Sequence, residues 1–316
     1  MLLFQASQGD ELTQMVLTEL RKHCPALEYL QFFSDSGSGA TERYGDDIDG
    51  TFGNRSIGEG FGAQTVAPVY GTFALKIIGK TIKLDVAYEE RGGDVPSEFR
   101  VKLKNWAENA GRDLMSKLLN DNATTDAEQF NGIRKLIADL VTAGDTTRVI
   151  SSGAAGMQVV LGNDNTAKTA QQKFVEKIEE LCDAVDGGPN VIMMDQRLLT
   201  RLSTIAKEQC SISLNEWGAT IGNFRGIPIV PTGRKYDGSR IIPYSETVTT
   251  STDCTSVFAF RSSEKANLTA MTTPVGMKVY PMEKSDNFYS VMPQLQMDLG
   301  VLSKRCVARL EGIRLT

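Results

Sequence analysis

The sequence predicts an α+β chain in which one long helix precedes a β-rich C-terminal part, and three patterns predict it. Between residues 94 and 120, Phe99, Leu103, Trp106, Ala110, Leu114 and Leu118 recur at three- and four-residue steps, which places them on one face of a helix. Around residues 71–89 the period falls to two, with Phe73, Leu75 and Ile77 followed by Ile82, Leu84 and Val86, the alternation of a half-buried strand. From about residue 247 onward the apolar runs are short, as at 256–261 and 277–280, and a long terminal pair ends near Arg314, so strands are expected to dominate there.

Taken in order, a first amphipathic helix is expected from about Asp10 to His23. Leu12, Met15, Val16 and Leu20 mark its face and Cys24-Pro25 ends it, because proline cannot continue the ladder. Residues 34–62 then hold eight glycines among serines and acids. So long a stretch with so little core material is expected to be disordered, or an extended arm that orders against other subunits. In the strand that follows, the apolar row moves from odd to even positions after Gly79, which reads as a bulge or kink at that glycine. At ~3.3 Å per residue a continuous ribbon over 71–89 would reach about 60 Å. Such a ribbon is expected to protrude and to need a cover.

Asp94 and Pro96 open the long helix, a capping residue followed by a proline in the first turn. At ~1.5 Å per residue it spans roughly 37 Å and would act as a spine. Thr125 with Glu128 forms a capping-box pattern ahead of Phe130, Ile133, Ile137 and Leu140, with Gly144 as the stop, and Thr169 with Gln172 forms another ahead of Phe174, Ile178, Leu181 and Cys182. A strand-like passage at 157–161 lies between them. Gly187, Gly188 and Pro189 end the second of these helices, Val191 to Met194 reads as a short buried strand, and Asp195 caps a helix that turns Leu198, Leu199, Leu202 and Ile205 inward. Strand and turn signals alternate through 221–231.

Composition narrows the function. The chain has 316 residues, 34 Lys plus Arg against 39 Asp plus Glu, one histidine and 41% hydrophobic residues. That is enough chain for about two domains and a sizeable core without disulfides or structural metal. A net charge of −5 with no long basic run argues against a dedicated nucleic-acid reader, whose affinity rests on clustered cations. The five cysteines are odd in number and scattered, which suits reduced thiols. No run approaches the ~18 apolar residues of a membrane span. Met1 to Phe4 is too short for a secretory signal, so the chain is expected to be made and kept in a cytoplasm.

The inventory for catalysis is thin, and neither a catalytic residue, a cofactor nor a metal site is assigned. His23, the only imidazole, has Cys24 beside it in sequence, and neighbours one apart on a helix point in different directions. Residues 74–81, ALKIIGKT, match a relaxed phosphate-loop pattern. Yet the supposed loop is Leu75, Lys76, Ile77 and Ile78, and its continuation alternates like a strand instead of opening the helix such a loop needs. Asp47-Ile48-Asp49-Gly50-Thr51 resembles the nucleophile loop of haloacid-dehalogenase-type phosphatases, but no apolar strand precedes it to aim the first carboxylate. An acidic turn is the simpler reading, and a DxDGT-type phosphatase stays as the enzymatic alternative.

The order of arm, ribbon, spine helix, α+β insertion and β-rich return resembles that of the major capsid protein of tailed bacteriophages, the Hong Kong 97 type fold. Local phrases are also similar: Phe130-Asn131-Gly132-Ile133, the turn Gly226-Ile227-Pro228-Ile229-Val230, and Asn267-Leu268-Thr269-Ala270-Met271. The resemblance implies an N-terminal arm at 1–45, an extended β loop at 46–92, a peripheral domain with the spine helix at 93–164, an axial domain at 165–245, and a return to the peripheral domain at 246–316. It implies no enzyme. The expected role is a shell subunit that self-assembles into pentamers and hexamers around double-stranded DNA, in a virion capsid assembled in the host cytoplasm. Phe73, Leu75, Ile77, Ile82, Leu84 and Val86 are then expected at subunit interfaces. Expected partners are other copies of the chain, a separate scaffolding protein or none, since Met1 to Asp10 is too short for a built-in one, a portal, with decoration proteins left open, and non-specific contact with packaged DNA, with no membrane. Some members of the family weld subunits with Lys–Asn bonds, and Lys76, Lys80 and Lys83 lie in the expected loop, but no partner Asn or activating Glu is identifiable, so crosslinking is left open. An encapsulin-type nanocompartment shares the architecture and is the alternative within it.

Overall fold

A computed structural model describes residues 11–35, 41–43, 57, 70–159, 161, 162 and 164–315. The glycine-rich stretch beyond Asp35, apart from 41–43 and 57, lies outside the described residues, as does the Asp47–Thr51 motif.

The first helix, Glu11–His23, buries Thr13, Val16, Leu17 and Leu20. It packs on the spine helix and leads through a 3-10 turn, Pro25–Glu28, into β1, Phe32–Ser34. The segment from Val16 to Phe32, expected within the arm, is thus built into the main core. β2, Thr41–Arg43, and β3, Tyr70–Thr72, pair antiparallel as a two-stranded stem. β4, Lys76–Gly79, and β5, Ile82–Asp85, follow, then a single helical turn at Ala87–Glu90.

The spine helix runs Val95–Asn120, and Asp94 caps it by accepting from Ser97 N at 3.4 Å. Its predicted face is the observed one, with Phe99, Leu103, Leu114 and Leu118 buried. The next helix, Ile133–Thr142, begins later than the Thr125 pattern suggests. Asn122 and Asp126 accept from Thr124 N and Glu128 N two residues on, local bonds that turn the chain instead of starting a helix. Likewise, the helix Asn165–Asp183 is capped by Asp164, which accepts from Ala167 N at 2.7 Å. Thr169 lies inside it and bonds back to Asn165 O.

The remaining strands are β6 Val149–Ser151, β7 Met157–Gln158, β8 Val191–Met194, β9 Cys210–Leu214, β10 Thr220–Phe224, β11 Ile227–Pro231, β12 Glu246–Val248, β13 Ser251–Phe260, β14 Leu268–Ser285, β15 Phe288–Val301 and β16 Val307–Arg314. Asp195 caps the helix Gln196–Ile205 by accepting from Arg197 N at 2.8 Å. β10 and β11 join through Arg225 and Gly226, both at positive φ, a two-residue hairpin turn.

Two sheets carry the described residues beyond the stem. Nine strands form the larger, in the order β6-β16-β13-β8-β11-β10-β9, with β12 on β13 and β7 on β16. Alternate residues of its central strands face different cores. Val191, Met193, Phe258 and Phe260 join the spine helix on one side, while Ile192, Met194, Val257 and Ala259 join Phe174, Ile178 and Leu198 on the other. This explains why β8 is apolar at every position. The expected axial and returning peripheral segments therefore share one sheet.

The smaller sheet is a ribbon in the order β1-β14-β15-β4, with β5 also on β15. β14 and β15 form a hairpin turning at Asp286 and Asn287, and at ~3.3 Å per residue its longer strand spans about 60 Å. The long ribbon is thus mainly this hairpin, and 76–85 is its edge.

Candidate assembly surface

The edge residues can be placed one by one. β4 and β5 lie end to end along β15: Lys76 to Gly79 oppose Met297 to Gln294, and Ile82 to Asp85 oppose Val291 to Phe288. Two residues lie between Gly79 and Ile82 and two between Val291 and Gln294, so no extra residue is inserted and the expected bulge at Gly79 is absent. The ladder breaks for another reason. Lys80 N donates to Pro293 O at 3.3 Å, and the reciprocal bond cannot form because proline has no N–H. Gly79 serves close approach, since a Cβ there would lie 2.6 Å from Pro293 O. The shift of apolar phase falls at residues 75–76, where the chain passes from the stem to the ribbon.

Of the six residues expected at interfaces, Phe73 is 2% exposed and Leu84 7%, both covered by their own chain, whereas Ile77 is 68% exposed. Leu75, Ile82 and Val86 are half-buried. Ile78, Ile82 and Val86 pack against the main core, and Leu75 against a small one with Phe33, Phe73, Met271 and Leu302. The outward face of the ribbon also exposes Phe288 and Met292. Between ribbon and spine runs an open groove of about 430 Å³, lined by Ile78, Met277 and Leu295 on one side and Trp106, Ala110 and Leu114 on the other.

The phosphate-loop reading has no geometry to support it, because Lys76–Gly79 and Ile82–Asp85 are strands and no helix follows Thr81 directly. Cys24 is buried with its Sγ 3.8 Å from Met115 Sδ, and burial pushes its thiol up to about 12. Burial likewise lowers the His23 imidazole pKa, against the opposing pull of Glu108. Burial pushes the Cys306 thiol up to about 12 and the Cys182 thiol to about 11. These are poor nucleophiles, since the thiolate is the reactive form. Among the described residues no group of His, Cys, Asp or Glu is placed to hold a metal, and no helix is long and apolar enough to cross a membrane.

Charged groups instead fasten the frame, and sequence reading missed these. Fully buried Asp195 accepts from Arg240 at 2.5 Å and from the Tyr244 hydroxyl besides capping its helix. Burial and that hydrogen bond push the Tyr244 phenol well above its ordinary range. Glu246 accepts from Arg134 at 2.5 Å, Arg309 at 3.0 Å and the Ser256 hydroxyl, tying the helix Ile133–Thr142 to β13 and β16. Asp298, on β15, accepts from Ala74 N at 2.6 Å and Leu299 N at 2.8 Å, and burial raises its carboxyl pKa. The only local signal for Asp298 is a carboxylate in an otherwise uncharged run, PQLQMDLGV.

Comparison with known folds identifies the frame. No family model matches the sequence, and no curated protein does. Solved structures do match along almost the whole chain. The capsid of a native GTA particle aligns with a TM-score of 0.59 at 10% identity, over 94% of this chain and 90% of that one. A solved structure from Microbacterium phage Oxtober96 gives 0.51 at 12% identity, over 93% and 91%. This is the phage major capsid fold. The same fold is shared by the SrpI encapsulin of Synechococcus elongatus PCC 7942, which aligns at 0.57 with 11% identity over 92% and 87%. Within the capsid fold, the long helix, hairpin ribbon and two-faced sheet account for the described part of the chain, and its α+β class stands as the sequence suggested.

Proposed function

We propose that this chain is a structural major capsid protein, which self-assembles into pentamers and hexamers of an icosahedral shell enclosing double-stranded DNA. The supporting observation is that the capsid fold extends over more than nine-tenths of this chain and nine-tenths of the GTA subunit, with a ribbon whose outward face is open at Ile77, Phe288 and Met292. Shell subunits meet through heterologous contacts that close by symmetry, and a ribbon with an open apolar face supplies one side of such a contact.

In this reading the chain divides into arm 1–45, extended loop 46–92, peripheral domain 93–164 and 246–316, and axial domain 165–245. Ile77 is the leading interface residue, with Leu75, Ile82 and Val86 contributing their exposed parts, while Phe73 and Leu84 support the edge from within. The role is structural and not enzymatic. Its partners are other copies, a scaffolding protein, a portal, decoration proteins and, without sequence preference, the packaged DNA, and its place is the virion capsid after assembly in the host cytoplasm.

Negative-stain microscopy of the expressed protein tests this. Closed particles, tubes or capsomers are expected, and a monomer under all conditions would overturn it. The likeness to an encapsulin favours a second reading, a cargo nanocompartment. Nuclease-protected DNA in purified virions supports the genome shell, whereas particles that enclose protein and no nucleic acid support the nanocompartment. Loss of a magnesium-dependent phosphatase activity on Asp47→Asn would favour the enzyme instead.

A further inference from the structure

Both legs of the β2–β3 stem are rooted in one small core on the outward face of the ribbon. Phe33, on the leg entering the stem, and Phe73, on the leg leaving it, meet edge to face with ring centroids 5.2 Å apart and planes at 84°. Met271 and Leu302 complete that core. The Phe73 ring fills the space over Gly300, where a Cβ would lie 2.5 Å from it, so any larger residue would lift the ring.

Just beyond Phe73 the backbone is between ladders, since β3 ends at Thr72 and β4 starts at Lys76. Ala74 N has no strand to pair with, and Asp298 Oδ2 accepts it at 2.6 Å. Along β15 the outward row of Phe288, Ser290, Met292, Gln294 and Gln296 is exposed or half-exposed, and the row becomes buried at Asp298. A buried carboxylate in a strand costs stability unless hydrogen bonds compensate, and its use here is to hold a crossing segment that has no ladder of its own.

We propose that this root is a preset pivot: the Phe33–Phe73 pair seated over Gly300, together with the Asp298–Ala74 bond, fixes the direction in which the stem leaves the ribbon. Through the stem it sets the angle at which neighbouring copies meet, a consequence that rests on the shell reading above. The pivot itself does not depend on that reading.

Two variants and two readouts test it. Asp298→Ala removes the acceptor for Ala74 N, and Asp298→Asn retains an acceptor oxygen. By amide exchange, Asp298→Ala is expected to speed exchange over residues 70–75 by at least about tenfold, the loss of a hydrogen bond to a charged group, with exchange in β8 unchanged and Asp298→Asn close to wild type. In assembly, Asp298→Ala is expected to give particles of mixed diameter or open sheets where wild type gives one diameter. Unchanged exchange over 70–75 would overturn the pivot. Faster exchange with wild-type particle diameters would overturn its role in setting the angle. Should Asp298→Ala fail to fold, Phe73→Leu, which keeps apolar volume but removes the ring pair, takes its place under the same criteria. Wild-type protein that forms no particles would remove the shell reading, and the exchange data would still decide the pivot.

Discussion

The nine-stranded sheet and the hairpin ribbon are made of similar residues and stand in opposite situations. In the sheet, Met193 and Ile192 are neighbours in sequence and both fully buried, one against the spine side and one against the helix Asn165–Asp183. In the ribbon, Ile78 packs inward while Ile77 beside it is 68% exposed. A strand covered on both faces has its stability settled within one chain. A strand covered on one face, with Ile77, Phe288 and Met292 open on the other, keeps apolar area that another surface can remove from water. The first region explains why the chain folds, and in the proposed shell the second is the face on which copies would meet.

This contrast breaks if the sheet is not the stability centre. Asp195→Ala leaves Arg240 and Tyr244 without their buried acceptor and removes a helix cap, so a loss of about 3–5 kcal/mol is expected. Denaturant unfolding measures it, and a loss under about 1 kcal/mol would mean that the sheet does not carry the fold. Leucine truncations sharpen the same comparison. Leu198→Ala, in the fully packed second core, is expected to cost about 4 kcal/mol, and Leu84→Ala, on the ribbon edge, about 2 kcal/mol, because a site near solvent relaxes more easily. Equal costs would place the edge in a core as tight as the sheet's. Ile77→Ala is expected to change stability by less than about 0.5 kcal/mol, while raising the protein concentration at which particles form, as read by light scattering.

What was legible in the sequence follows the range of the interactions. The spine helix was read with its cap and its buried face because Asp94, Pro96 and the row from Phe99 to Leu118 are local signals. Thr125 and Thr169 misled for a local reason too: Asp126 accepts Glu128 N, the group a Thr125 cap would take, and Asp164 caps the other helix five residues ahead of Thr169. The burial of β8 was anticipated, though not that its two faces serve different cores, and the edge was assigned the wrong phase. Alternation reports which residues share a face, not where the chain changes sheets, and that change falls at 73–76. The fastening groups were invisible for want of proximity, since Asp298 and Ala74 are 224 residues apart and Arg134 and Glu246 are 112 apart. Six residues were expected at interfaces, and of these Ile77 alone is largely exposed, because sequence cannot say which apolar rows the chain covers for itself.

A nearly compensated substitution tests how the edge is made. Pro293 lies opposite Lys80, accepts its N–H and offers none in return, so the break between β4 and β5 is ascribed to one missing donor. Pro293→Ala supplies that donor. The gain of one hydrogen bond, about 1 kcal/mol, is offset by the greater freedom of the unfolded chain without proline, about 0.4–1 kcal/mol. Unfolding stability is therefore expected to move by less than about 1 kcal/mol, while the backbone amide introduced at position 293 should exchange as slowly as its β15 neighbours. If that amide exchanges as fast as one open to water, the break has another origin, and the close approach of Gly79 to the carbonyl of residue 293 becomes the feature that holds the two edge segments apart.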